Sequence, residues 1–98
     1  MKSEKIITHV IIDINPDCIK EVLSGAKVTR DKIMVEEGCE VFNLTIKKDN
    51  PFTLVVFAVY TSEKTYQWHL KQDYVKSFFK FLEDKLFAAP LVTYLEEV

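Results

Sequence analysis

CEVFNLTIKKDNPFTLVVFAVYT, residues 39–61, holds two apolar-rich runs around a polar turn. Cys39 to Lys47 alternates between apolar and polar positions, the period of a strand with one buried face. KKDNP, residues 47–51, is turn chemistry: Asp and Asn bond their own backbone, and Pro fixes φ. Phe52 to Thr61 is β-branched and aromatic, so the stretch reads as a hairpin. Its second arm does not alternate. The seven residues from Leu54 to Tyr60 are all apolar, so both faces of that strand want burial.

Working outward places the hairpin in a larger order. Lys5 to Ile14 is rich in Ile, Val and Thr and reads as a first strand. Asn15 can cap the helix that follows, Pro16 suits its first position, and Asp17 suits its dipole. Ile19, Val22, Leu23, Ala26, Ile33 and Met34 form its apolar stripe. Gly25 marks a kink or a close contact. The helix is expected to end near Glu37-Gly38, with Gly38 in the left-handed cap position. After the hairpin, Ser62 can cap a short helix through Lys71. Asp73 can cap another, with the stripe Val75, Phe78, Phe79, Leu82 and Leu86. Ala89-Pro90 breaks that helix, and Leu91 to Glu96 reads as a last strand.

The order β-α-β-β-α-β is the ferredoxin-like pattern. It predicts one α+β domain over residues 1–98: a four-stranded antiparallel sheet with helices on one face. The other face of Leu54–Tyr60 then needs a cover. A second copy of the same sheet supplies one, so a two-fold homodimer through sheet faces is expected.

Composition limits the function. Apolar residues make up 48% and charged residues 29%, which excludes a disordered chain. The net charge of −2 comes with no basic stripe, so nucleic acid is not an expected partner. No apolar run is long enough to span a bilayer, and MKSEKIITHVIIDINPD lacks the form of a signal peptide. A cytoplasmic protein without a membrane partner is expected. Cys18 and Cys39 form no CxxC and read as free thiols. The histidines, His9 and His69, are too far apart for metal-ligand spacing, and Gly25 and Gly38 cannot build a phosphate loop.

Glu36-Glu37-Gly38-Cys39-Glu40-Val41-Phe42 resembles the segment E-P/E-G-C-x-x-F/Y of the antibiotic biosynthesis monooxygenase family, small dimeric α+β barrels. The resemblance runs on through Tyr60 and Thr61-Ser62-Glu63 to His69-Leu70, and covers residues 36 to 96. Two positions depart from the pattern. The family's strand glutamate is Ala58 here, and its second frequent histidine is Tyr74. A plausible acid is therefore missing. Haem-degrading relatives carry an iron-ligating histidine where this chain has Phe79, which argues against haem degradation.

The resemblance implies a monooxygenase that uses neither metal nor flavin. A phenol or enol is deprotonated, and its anion reduces oxygen directly. Such a site needs a base, donors for the substrate oxygens and an apolar pocket. His69 is the natural base, because imidazole titrates in the useful range. Tyr60 and Tyr74 are candidate donors, and Phe42, Phe57, Phe78 and Phe79 candidate walls. His9 faces either the pocket or the dimer seam. Each has a plainer reading: Tyr60 and the phenylalanines as core, Tyr74 as surface, His69 as a structural histidine.

TYQWHLKQDY, residues 65–74, divides by helix geometry. Tyr66 and Leu70 share the packing face, His69 lies about 60° from Tyr66, and Trp68 points about 160° away. Two functions compete. One is a cofactor-independent oxygenase on a small quinol or enol. The other is a non-catalytic dimeric barrel that binds a small apolar ligand or serves as an interaction module. An enclosed cavity on which His69 and a tyrosine hydroxyl converge favours the enzyme. A filled core with His69 in solvent favours the other.

Overall fold

A computed structural model describes residues 4–98. Strands β1 (Ile6–Asp13), β2 (Cys39–Ile46), β3 (Thr53–Tyr60) and β4 (Leu91–Leu95) form one sheet in the order β2-β3-β1-β4. All neighbouring strands are antiparallel. A 3₁₀ turn at Pro16–Cys18 leads into α1 (Ile19–Met34). Two further helices, α2 (Glu63–Leu70) and α3 (Asp73–Leu82), lie between β3 and β4. This is the ferredoxin-like α+β arrangement that the hairpin and its flanks predict.

The local chemistry explains most boundaries. The Asn15 side chain accepts from the Asp17 amide, which starts the 3₁₀ turn with Pro16 at its first position. Ser62 and Thr65 form a reciprocal capping box at the start of α2. Three expectations fail. Asp73 is the first residue of α3 rather than its cap, and Gln72 precedes it without a capping side-chain bond. Helix α3 ends at Leu82, ahead of the Ala89-Pro90 break. Leu86 instead forms an isolated bridge with Ile14. Helix α1 ends at Met34, and no glycine among the described residues has a positive φ, so Gly38 is not a left-handed cap.

Gly38 serves packing instead. A Cβ there would lie 2.7 Å from Thr65 Cγ2 and 2.8 Å from its Oγ1, and closer still to Thr65 Cβ. Cβ is fixed to the backbone, so the chain after α1 touches the first turn of α2 with no room for a methyl group. Gly25 plays a milder version of the same role against the ring of Phe81, 3.3 Å from a Cβ built there.

Strand parity sorts the sheet's two faces. Ile12, Leu54 and Val56 join Val22, Ala26 and Leu82 in the core under the helices. A second cluster, Ala58, Tyr60 and Tyr66, extends it toward α2. The opposite face carries Ile7, His9 and Ile11 of β1, paired with Val59, Phe57 and Val55 of β3. One irregularity matters for the site. Cys39 pairs with Tyr60 but Val41 pairs with Val59, so Glu40 is the extra residue of a bulge. The bulge brings Cys39 to the helix face, against the Tyr60 cluster.

Gly38→Ala is expected to lower stability by about 1–3 kcal/mol through overpacking against Thr65. Urea denaturation followed by circular dichroism measures this. An unchanged midpoint would mean that the contact yields without cost.

Candidate active site

The site is assembled from three elements that converge behind β3. Tyr60 ends β3, His69 lies in the last turn of α2, and Glu36 lies on the loop between α1 and β2. His69 is 5% exposed and Glu36 7%, so both polar groups need partners inside the protein. They find each other. His69 Nδ1 lies 2.9 and 3.0 Å from the two Glu36 carboxylate oxygens. On the other side of the ring, Nε2 is 3.1 Å from the Tyr60 hydroxyl. The Tyr74 hydroxyl, from the first turn of α3, donates to Glu36 Oε2. Tyr60, His69, Glu36 and Tyr74 thus form one continuous hydrogen-bonded chain.

Tyr60 and His69 both line an interior cavity of about 110 Å³ between sheet and helices. Its walls are largely apolar: Val10, Ile12, Val56 and Ala58 from the sheet, Ile33 from α1, and Leu70, Val75 and Phe78 from the helices. Phe79 and Val92, both more than two-fifths exposed, border it where it meets solvent. Tyr66 joins the lining, and its hydroxyl lies 2.9 Å from that of Tyr94, tying α2 to the edge strand.

Of the residues singled out in the sequence, His69, Tyr60, Phe42, Phe78 and Phe79 line this cavity. Three others do not. Phe57 and His9 are cross-strand partners on the opposite face of the sheet, and successive strand residues point to opposite sides. Tyr74 does not line the cavity and reaches it only through Glu36. Trp68 is 53% exposed and turned outward, as helix geometry predicts. The acid that the sequence reading finds missing is present, in Glu36. One signal pointed to it: Glu36 opens the same EEGC segment that carries the family resemblance.

Burial sets the electrostatics. It pushes the Tyr60 phenol far above its usual range, with nearby Cys39 and Glu36 adding to the effect. Tyr74 is raised too, by burial and then by its bond to Glu36. Tyr66 follows through burial and its bond to Tyr94. The Cys39 thiol is raised to about 11, by burial and then by Glu36 and Glu40. It therefore sits beside the site as a protonated packing group. No cluster of three or more His, Cys, Asp or Glu suited to a metal occurs among the described residues, nor any helix long and apolar enough to cross a membrane.

The fold and the buried Tyr–His–Glu chain define a small α+β protein with a titratable cavity. The family model for antibiotic biosynthesis monooxygenase matches residues 6–80. The chain belongs to that family. Among solved structures, a Nitrosomonas europaea protein provisionally assigned to the same family superposes with a TM-score of 0.93 at 13% identity. That match covers 100% of this chain and 94% of the other. A Caulobacter crescentus protein with the same provisional assignment gives 0.90 at 24% identity, over 98% and 92%. A conserved Methanosarcina mazei protein gives 0.88 at 20% identity, over 93% and 90%. At these identities the structural likeness speaks for the fold alone. A comparison with curated proteins returns no match.

The raised tyrosines make a pH prediction. In the unfolded chain phenols ionise near their ordinary value of about 10. In the folded chain Tyr60, Tyr66 and Tyr74 hold their protons to higher pH. Stability from these groups is therefore complete below about pH 10 and is lost as the pH rises further. The urea midpoint is expected to fall progressively above pH 10, and less steeply in Tyr60→Phe. An identical decline in wild type and variant would remove Tyr60 from the account.

Proposed function

We propose that this protein is a monooxygenase that oxidises a small aromatic quinol or enol without a bound cofactor. The observation that carries the reading is the convergence of His69 and Tyr60 on a mainly apolar cavity that opens to solvent beside Phe79 and Val92. Of the two arrangements weighed from sequence, this lies nearer the enzyme's, because His69 is buried and not in solvent. The apolar walls suit a flat aromatic substrate and admit oxygen, and the buried imidazole can take up a proton released by a substrate hydroxyl. The resulting anion is electron-rich enough to reduce oxygen. The reaction balances without an added reductant. A ring CH₂ of the enol's keto form becomes C=O, one oxygen atom enters the product, and the other leaves as water with both hydrogens.

Oxygen uptake with a panel of dihydroxynaphthalenes and other quinols tests the reading. At least one substrate is expected to consume oxygen, and His69→Ala is expected to lower kcat by about 10²–10⁴-fold. If no member of the panel reacts, the enzyme reading is wrong. If His69→Ala keeps the wild-type rate, the base is elsewhere.

The same proposal includes a two-fold homodimer in a cytoplasmic setting. It is supported by the uncovered sheet face, where Ile7, Ile11, Val41, Val55 and Phe57 are only partly buried and no helix packs over them. Sedimentation equilibrium is expected to give twice the 11.4 kDa chain mass. Phe57→Lys is expected to shift the distribution toward single chains. A wild-type protein of 11.4 kDa at tens of micromolar would count against the dimer.

A further inference from the structure

We infer that Glu36 is a positioning residue that fixes the tautomer of His69 and thereby sets which way the Tyr60 hydroxyl points. This rests on the proposed activity only for its kinetic consequence. The geometry is independent of it. Glu36 is buried, and its carboxylate faces Nδ1 of His69 with both oxygens at hydrogen-bond distance. A carboxylate only accepts, so Nδ1 must carry a proton. In the neutral ring Nε2 is then bare and accepts from Tyr60, 3.1 Å away. The Tyr60 hydrogen is committed to His69, and the lone pairs of its oxygen are left for the cavity. Tyr74 holds the carboxylate in place by donating to Oε2.

The inference changes the roles in the site. Both His69 nitrogens are engaged, so His69 does not meet substrate directly. Tyr60 does. A substrate hydroxyl gives its proton to the Tyr60 oxygen as Tyr60 gives its own to Nε2. One O–H bond breaks at the substrate and one forms on Tyr60, while the original Tyr60 O–H bond breaks and an N–H bond forms on His69. The products are a substrate oxyanion, a neutral tyrosine, and an imidazolium held against the Glu36 carboxylate. With the opposite tautomer, Nε2–H would donate to Tyr60, turn its hydrogen toward the cavity, and leave no basic nitrogen on that side.

Nitrogen-15 spectra of imidazole-labelled protein at neutral pH test this without substrate. A His9→Asn variant assigns the two histidines, since His9 lies on the far face of the sheet. Wild-type His69 is expected to show one protonated nitrogen, Nδ1, and a bare Nε2. A predominant Nε2–H form, or a doubly protonated ring, overturns the inference, and this spectrum decides even if a variant fails to fold. In Glu36→Gln the amide can donate to Nδ1, so the Nε2–H form is expected to become populated; an unchanged spectrum also overturns the inference. With a reacting quinol, Glu36→Gln is expected to lower kcat about a hundredfold or more while KM stays within about threefold. An unchanged kcat overturns the inference. Absence of turnover in the wild type would sink the proposed activity alone, because the spectra are read without it.

Discussion

A carboxylate out of water has to be given donors, and Glu36 is such a group. Its donors come from two different helices, His69 from α2 and Tyr74 from α3. Satisfying one side chain on the loop after α1 therefore ties down α2 and α3, which wall the cavity together with α1. Losing either donor would leave the charge underpaired, which costs more than an ordinary hydrogen bond contributes. The close approach of Gly38 to Thr65 makes the arrangement possible, because it brings that loop against the first turn of α2. Every buried side-chain nitrogen and oxygen among the described residues has a partner, so the network closes within the chain.

Much of the fold was legible because local signals agreed with one another. The turn at KKDNP, the caps at Asn15 and Ser62 and the strand periods all point to one topology. Glu36 was harder. In sequence it is one of two adjacent glutamates at the expected end of the first helix, and nothing there tells the two apart. Only tertiary docking separates them: Glu36 is buried and Glu37 is exposed. Gly38 carried a similar ambiguity, since a glycine after a helix signals a left-handed cap as readily as a tight contact. The misplacement of Phe57, and the choice left open for His9, are of another kind. With Tyr60 on the cavity side, two-residue periodicity already puts Phe57 on the far side. His9 follows once the register pairs it with Phe57.

Ala58 gains a role from its surroundings. It is buried, pairs with Thr8 across the sheet, and lines the cavity one strand step from Tyr60. A glutamate at this position, as the family pattern has it, would project a carboxylate into the same space. Here the space is left open and apolar. The acid comes instead from outside the cavity wall, behind His69. The substitution that looks like the loss of a catalytic group is thus compatible with an acid acting at one remove, where it touches the histidine and not the ligand.

Burial of Tyr60 also limits how the chain of hydrogen bonds can work. Its phenol resists ionisation, so it cannot store the negative charge of a phenolate while a reaction proceeds. A proton that arrives at its oxygen must be matched by one that leaves. The group able to receive it is His69, and the charge that then forms on the imidazole lies against Glu36, where a fixed carboxylate stabilises it without solvent. In either reading the positive charge forms on the His69 imidazole, against the Glu36 carboxylate. The relay differs in where the substrate meets the protein: its proton goes to the Tyr60 oxygen, and His69 is reached through Tyr60.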